Sequence, residues 1–154
     1  MRLSTLGRYA LRAMVDLARH QDQGPVLRKE IAERQELSSN YLAQLFARLG
    51  RAGLVKSVFG PGGGYVLARS AEKISAGDVL RAVEESLAPV FCVDCDQEDM
   101  CHRAEDCPTR PLWIRLGEQV SQTLDSITVA ELCRQSDVTD KSTPQDRPVV
   151  WLSL

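Results

Sequence analysis

The sequence has no long apolar run. None of its hydrophobic stretches approaches the ~20 residues that a membrane-spanning helix needs, and Met1–Arg12 lacks the continuous apolar stretch of a signal peptide. These absences predict a cytoplasmic protein with no membrane span. With 154 residues, 44% of them hydrophobic, the chain can form one packed domain, or a small domain with an attached dimerisation element.

Groups suited to catalysis are also scarce. The chain has only two histidines, His20 and His102, and neither has an evident nucleophile partner of the kind that covalent or acid–base catalysis requires. We therefore expect that this protein is not an enzyme. The sequence contains no internal repeat.

Charge divides the chain into two unequal parts. Residues 1–69 hold eleven Lys and Arg against five Asp and Glu, whereas the remainder holds eight against sixteen. The first part therefore carries +6 and the second −8, within a net charge of −2. A basic segment is typical of a module that binds nucleic-acid phosphates, although solvated surface helices would give the same balance.

The predicted elements are mainly helical, with one β-hairpin. Apolar residues at helical spacing predict helices over 3–19, 27–34 and 38–52, with Leu27 and Ile31 facing inward in the second. Strands at 54–58 and 65–67 flank a glycine-rich turn that no regular element would tolerate internally. This order indicates a winged helix-turn-helix, which we assign to residues 1–69.

The remaining helices are predicted in a second region, residues 70–134. Ser75 and Asp78 form a capping-box pattern for a helix reaching about Leu87, and Pro111 opens a longer helix to Ser126. This long helix has an apolar stripe that suits either a dimer partner or its own domain: Leu112, Leu116, Val120, Leu124 and Ile127. A short helix starts at Thr128, and residues 135–154 are expected to form a disordered tail.

Four of the five cysteines lie within sixteen residues: Cys92, Cys95, Cys101 and Cys107. In a reducing compartment such clustering favours metal or redox chemistry over structural disulfides. Thiolates in a loop suit an iron–sulfur cluster, four of them also suit zinc, and the Cys92–Cys95 spacing suits a metal-free thiol switch. The fifth, Cys133, is expected to be a small buried residue.

The third helix carries the main candidate DNA contacts. A helix N-terminus offers free backbone amides to phosphate, and Ser38 and Ser39 add hydroxyl groups there. Asn40 and Gln44 lie one turn apart, where base edges of the major groove come within reach. The other candidates are Arg2, Tyr41, Arg48, Arg51, Lys56, Phe59, Gly60, Gly62 and Gly63. Each of them also has an ordinary structural role open to it, as core edge, solvated charge or hairpin turn.

Several segments in combination resemble the IscR/NsrR family of bacterial winged-helix regulators. They are Met1-Arg2-Leu3-Ser4-Thr5-Leu6-Gly7-Arg8-Tyr9-Ala10, Ser38-Ser39-Asn40-Tyr41-Leu42-Ala43-Gln44-Leu45-Phe46, Gly53-Leu54-Val55 and Gly60-Pro61-Gly62-Gly63-Gly64-Tyr65. The resemblance covers residues 1–134 and implies a homodimer, with crossed long helices, on a pseudo-palindromic operator in double-stranded DNA. Phe59 and Asn40 depart from the Arg and Ser of related members, so no operator sequence is predicted.

The resemblance also assigns a role to the cysteine loop. Cys95, Cys101 and Cys107 match the cysteine triad of the cluster-bearing members, which implies a regulator switched by an iron–sulfur cluster, [2Fe–2S] in preference to [4Fe–4S]. The alternatives are a zinc- or thiol-dependent repressor on the same fold and, from another class, an iron–sulfur electron-transfer protein. The basic N-terminal part and the hairpin argue against electron transfer, because neither serves it.

The fourth cluster ligand differs from those of the relatives. The family uses a His three residues after the last cysteine, or an Asp near the N-terminus; the matching positions here are Arg110 and Arg8. Arginine is permanently protonated and cannot ligate. Cys92 is therefore the preferred fourth ligand, with His102 as the alternative.

Overall fold

The computed structural model describes residues 4–83, 86–94 and 101–140. Arg2 and Cys95, both predicted site residues, lie outside these ranges, as do residues 141–154 of the predicted tail. In chain order the helices and strands are α1 (Thr5–His20), α2 (Arg28–Gln35), α3 (Ser39–Arg51), β1 (Val55–Val58), β2 (Gly64–Leu67), α4 (Ala76–Ala82), α5 (Arg110–Ser126) and α6 (Val129–Asp140). No helix among these residues is both long and apolar enough to cross a bilayer.

Side-chain caps set the starts of α1 and α3. Ser4 Oγ accepts a hydrogen bond from the Gly7 amide, and Ser38 Oγ accepts one from the Tyr41 amide, each at 3.1 Å. Each bond satisfies an amide that has no partner inside its helix. Between α2 and α3 the chain reverses at Glu36, which takes a left-handed conformation at φ 56°.

The hairpin is held between α3 and the segment before α2. Its register pairs Val55 with Leu67 and Val58 with Gly64, and Val26 adds a bridge to Tyr65 through hydrogen bonds of 2.9 and 2.8 Å. The Tyr65 ring packs on Phe46 of α3 with its centroid 4.5 Å away. These contacts fix the hairpin relative to α3.

One apolar core runs through both predicted regions. The apolar stripes of α1 and α3 pack together with residues of α4 and α6. This core includes Met14 of α1, Phe46 of α3, Val79 of α4 and Val129 of α6, all at most 1% exposed. α6 packs on α1, and the backbones of Ile74 and Val129 are joined by a 2.8 Å hydrogen bond. The core therefore crosses the predicted boundary between residues 69 and 70.

Asp16 is a buried carboxylate that joins α1 to α2. Its side chain is about 4% exposed, and Arg34 reaches it at 2.7 Å in a bidentate contact while Gln35 Nε2 donates at 3.0 Å. The hydrogen bond to Asp16 is the main cause of the raised pKa of Arg34. The pair orients α2, and through it the start of α3.

Three expectations about the elements are wrong. The helix that begins with the Ser75–Asp78 capping box ends at Ala82 rather than near Leu87, and the last helix continues to Asp140, past the predicted start of the tail. Leu27 is 48% exposed rather than inward, because the chain at Val26 and Leu27 joins the hairpin before α2 begins.

Substitution of Asp16 tests the α1–α2 link. We expect Asp16→Asn to lower the free energy of unfolding by about 2 kcal/mol, since it removes charged hydrogen bonds in a buried place. The measurement is urea unfolding of the variant and of Asp22→Asn, a control that removes the same charge from an exposed side chain. Equal stability of the two variants would contradict the role given to Asp16.

Candidate nucleic-acid interface and metal centre

α3 presents one edge to solvent. Its core face is formed by Leu42, Leu45, Phe46 and Leu49. At 100° per residue the opposite edge of the helix holds four exposed residues: Asn40, Gln44, Ala47 and Arg51. Two predicted base contacts, Asn40 and Gln44, are therefore on the outward edge, and Arg51 extends that edge with a positive charge.

Two other predicted contacts on α3 face the protein instead. Tyr41 is half-buried and meets Tyr9 of α1 edge-on, with ring centroids 6.0 Å apart. Arg48 donates from Nη1 to the Val83 carbonyl at the end of α4, at 3.3 Å. The sequence alone did not distinguish Arg48 from Arg51, because which face of α3 each residue occupies depends on how the helix is rotated against the core. Arg51 points outward, and Arg48 points towards α4.

The N-terminus of α3 has an additional basic residue beside it. Ser38 is exposed and caps the helix, while Ser39 Oγ accepts a 3.1 Å hydrogen bond from Arg28 Nε. Arg28 is exposed at the first position of α2. Arg28 was not among the predicted contacts, because no local sequence pattern shows that α2 begins next to the start of α3.

The hairpin turn is compact and glycine-dependent. Gly60 and Gly62 have φ of +102° and +74°, a region that side chains disfavour. A Cβ on Gly63 would collide with the carbonyls of Val58 and Gly60. Phe59, at the turn, is 91% exposed, and Lys56 on β1 is also exposed.

A shallow groove separates α3 from the hairpin. It has a volume of about 500 Å³ and is lined by Ala43, Phe46, Ala47, Gly50, Val55, Lys56, Ser57 and Tyr65. Small residues on the flank of α3 keep it open. This groove therefore separates the outward edge of α3 from the hairpin.

The cysteine loop lies between α4 and α5. Cys92 is in a short 3₁₀ turn at Phe91–Val93, and Cys101 and Cys107 flank a turn at 102–106; all three are half-buried and free of disulfides. His102 is exposed. Within residues 4–83, 86–94 and 101–140, no three His, Cys, Asp or Glu side chains are gathered as a metal site.

Cys107 has surroundings that favour its thiolate. Its Sγ lies 3.3 Å from Thr109 Oγ1. The hydrogen bond with the Thr109 side chain is the main cause of a lowered pKa of Cys107; the amides of Thr109 and Arg110 and the charge of Arg103 act in the same direction. Thiolate is the form that binds iron or zinc, so Cys107 fits the role of a thiolate ligand to a metal or cluster. Cys133, by contrast, packs against the core near the Val15 carbonyl.

Three contacts, carried by α5 and α4, lie between this loop and α3. Pro89 of the loop lies 3.2 Å from the Cβ position of Gly117 in α5. Asp125 of α5 binds Arg81 of α4 at 2.6 Å, packed closely over Gly77. The end of α4 then meets Arg48 of α3.

Curated relatives match most of the chain in sequence. The chain is 47% identical over 138 residues to the HTH-type transcriptional regulator IscR of Serratia proteamaculans, covering 90% of this chain and 82% of the relative. It is 44% identical over 149 residues to IscR of Pectobacterium carotovorum subsp. carotovorum, with 97% and 89% covered.

Solved structures share the fold. CymR, the global cysteine regulator of B. subtilis, matches with a TM-score of 0.74 at 39% identity, over 88% of this chain and 98% of that one. IscR of T. potens matches with a TM-score of 0.74 at 38% identity, over 94% and 95%. Residues 3–135 match the Rrf2 family, described as iron-dependent transcriptional regulators. The chain belongs to the Rrf2 family and is a winged helix-turn-helix transcriptional regulator of the IscR type, not an enzyme.

Proposed function

We propose that the cysteine loop of this regulator binds an iron–sulfur cluster, and that the state of the loop sets the affinity of the protein for operator DNA. The observation that carries the proposal is the contact path from the loop to α3. It supplies a physical connection between a thiolate-rich segment and the outward edge that holds Asn40, Gln44 and Arg51.

The proposed DNA contacts are the N-terminus of α3, its outward edge and the hairpin. Free amides at the start of α3, together with Ser38, Ser39 and Arg28, suit a phosphate. Asn40 and Gln44 suit base edges in the major groove. Arg2, Arg51 and Lys56 would neutralise phosphates, and the backbone at Gly60, Gly62 and Gly63 approaches the duplex closely. Tyr41 and Arg48, which face α1 and α4, support α3 from behind.

A homodimer is proposed to form through α5. No residue of α5 is fully buried, and Leu112 and Leu116, one turn apart, are both exposed, Leu112 by 58%. Exposed leucines at this spacing suit a second helix of the same kind. Two copies related by a two-fold axis would present two α3 helices to a pseudo-palindromic duplex.

The proposed ligands are Cys95, Cys101 and Cys107, with Cys92 as the fourth and His102 as its alternative. Four cysteines form the usual ligand set of a [2Fe–2S] or [4Fe–4S] cluster, of which we favour [2Fe–2S]. Bound there, the cluster would supply sensitivity to iron, oxygen or nitric oxide. Zinc bound by the same thiolates is the alternative that the experiment below distinguishes.

A change in the conformation of the loop would be transmitted to α3 through contacts within the chain. The loop would act on α5 through the contact of Pro89 with Gly117, and the Arg81–Asp125 pair links α5 to α4. Arg48 then couples α4 to α3 through the Val83 carbonyl. Such a change alters DNA affinity only if the two loop states differ in their preferred α3 position.

Substitution of Arg51 and of Arg48 tests the proposed DNA-binding surface of α3. We expect Arg51→Ala to reduce the slope of log affinity against log salt by about 1 per subunit, and Arg48→Ala to leave the slope unchanged while lowering stability. The measurement is fluorescence anisotropy with a mixed-sequence duplex of about 30 base pairs, long enough for two half-sites one helical turn apart.

Titration to saturation in the same experiment should give two chains per duplex. One chain per duplex would contradict the dimer. An unchanged salt slope in Arg51→Ala, or a smaller one in Arg48→Ala alone, would contradict the orientation given to α3.

Cysteine variants test the proposed cluster. Protein purified without oxygen should show visible charge-transfer absorption, with iron and sulfide and without stoichiometric zinc. We expect Cys101→Ala and Cys92→Ala to lose the absorption, because each removes a thiolate ligand. Cys133→Ala, a control that removes a cysteine outside the loop, should keep it. Zinc without sulfide in the wild type, or full absorption in Cys101→Ala, would overturn the proposal.

A further inference from the structure

Five α-helices among the described residues are directly preceded by a serine or threonine. In four of them the hydroxyl accepts a hydrogen bond from the backbone amide three residues later; these caps are Ser4, Ser38, Ser75 and Thr128. The three serines have an extended backbone, with ψ between 140° and 162°, as a capping side chain requires. The fifth residue is Thr109, before α5, and it does not follow this pattern.

The backbone of Thr109 does not suit a capping role. Its φ and ψ are −97° and −9°, a helical conformation, and its side chain makes no hydrogen bond to the first turn of α5. The backbone closes that turn instead, because the Leu112 amide donates to the Thr109 carbonyl at 3.1 Å. The Thr109 hydroxyl is therefore not used in starting the helix.

This hydroxyl lies beside a cysteine of the loop. Thr109 Oγ1 is 3.3 Å from Cys107 Sγ. The Arg110 amide donates to the Cys107 carbonyl at 3.2 Å, which holds residues 107–110 in a tight turn. A hydroxyl can donate or accept, whereas a thiolate can only accept. When Cys107 is in the thiolate form that binds metal, the Thr109 hydroxyl is consequently the donor.

A donor to a ligand sulfur affects the electron affinity of a metal site. Hydrogen bonds to the sulfurs are among the features that set the reduction potential of an iron–sulfur cluster. Four thiolates bring four negative charges into the loop, and these charges oppose the uptake of a further electron. A hydroxyl that donates to one of the sulfurs offsets part of this negative charge, so it stabilises the reduced form and raises the potential.

Other groups near Cys107 act in the same sense. The amides of Thr109 and Arg110 and the charge of Arg103 also favour negative charge on this sulfur, and the first turn of α5, residues 110–113, has no acidic side chain to oppose them. Unlike the backbone amides or Arg103, the Thr109 hydroxyl can be removed without changing the chain or the charge of the loop.

We propose that Thr109 is a positioning residue for the cluster ligand Cys107, and that its hydroxyl donates to Cys107 Sγ and raises the reduction potential of the bound cluster. The inference rests on the proposed function and deepens it, since it assigns the one-electron potential of the site to a residue that ligates nothing. Thr109 also begins the helix that carries Asp125. The residue that tunes the ligand and the residue that contacts α4 thus belong to one element.

The experiment compares Thr109→Val with Thr109→Ser in protein that is purified without oxygen and holds its cluster. Valine has nearly the shape of threonine but no hydroxyl, whereas serine keeps the hydroxyl. The midpoint potential is measured by titration with dithionite, which supplies the electron, and is followed by visible absorption and by EPR of the reduced cluster.

We expect Thr109→Val to favour the oxidised form. At a fixed poise its ratio of oxidised to reduced cluster should rise about tenfold, the lower end of the effect of outer hydrogen-bond partners at metal sites. A tenfold change corresponds to a fall of about 59 mV in the potential for one electron. Thr109→Ala, which also lacks the hydroxyl, should show the same fall, and Thr109→Ser should keep the wild-type potential.

Two controls separate this effect from a structural one. Thr123→Val removes a hydroxyl from the far part of α5, where it donates to the Gln119 carbonyl, and should leave the potential unchanged. In metal-free protein the urea midpoint of Thr109→Val should stay close to that of the wild type, because Thr109 makes no capping bond. Ser75→Ala, which removes a cap, should lower that midpoint.

The outcomes distinguish this inference from the function on which it rests. If the wild type holds no iron and sulfide, the proposed function fails, and the inference fails with it. If the wild type holds the cluster and Thr109→Val has the same or a higher potential, cluster binding stands and the role given to Thr109 is wrong. A fall in Thr109→Ser as large as that in Thr109→Val would also overturn the inference, since serine keeps the donor.

Discussion

The packing of α6 on α1 is the constraint on which the rest of the structure depends. It brings residues from the end of the described chain, such as Val129, into the same core as Met14 and Phe46. The helix-turn-helix and the helices around the cysteine loop are therefore parts of one body. In the proposed coupling, a change at the loop would reach α3 through packed groups rather than through a linker.

α4 has a central place in this body because it contacts both sides. Asp125 of α5 lies against Gly77 in the first turn of α4 and meets Arg81 in its last turn at 2.6 Å. The last residue of α4 is followed by the Val83 carbonyl, which accepts from Arg48. Because the side chains of Arg81 and Asp125 are nearly half exposed, the pair contributes little to stability, but it links α4 directly to α5. The short length of α4, seven residues, keeps these two contacts on one rigid element.

Periodicity, caps and glycines were sufficient to predict the elements and their order. The capping box at Ser75 and Asp78 and the turn at Gly60–Gly64 carry strong local signals, and the structure confirms them. The features that escaped prediction depend on tertiary neighbours. Leu27 is exposed because the chain before α2 joins the hairpin, and α6 is longer than its sequence pattern suggested.

The candidate site was predictable in outline, since the basic part, the recognition helix and the cysteine loop were all identified from residue types and spacing. The orientation of individual side chains in the site could not be predicted. Arg48 and Arg51 have the same chemistry, and only the rotation of α3 decides which one faces outward. Arg28 meets Ser39, and Arg34 meets Asp16, across gaps in sequence that no local pattern bridges.

The central claim is that the loop and α3 are energetically coupled through α4 and α5. It is tested most directly by the affinity of the intact protein for one duplex, with and without metal in the loop, in the wild type and in Asp125→Asn. The account predicts a difference between the two metal states of the wild type, and a smaller difference in Asp125→Asn, which weakens the α5–α4 link. Equal affinity of the two wild-type states would contradict the coupling, and an undiminished difference in Asp125→Asn would contradict the path.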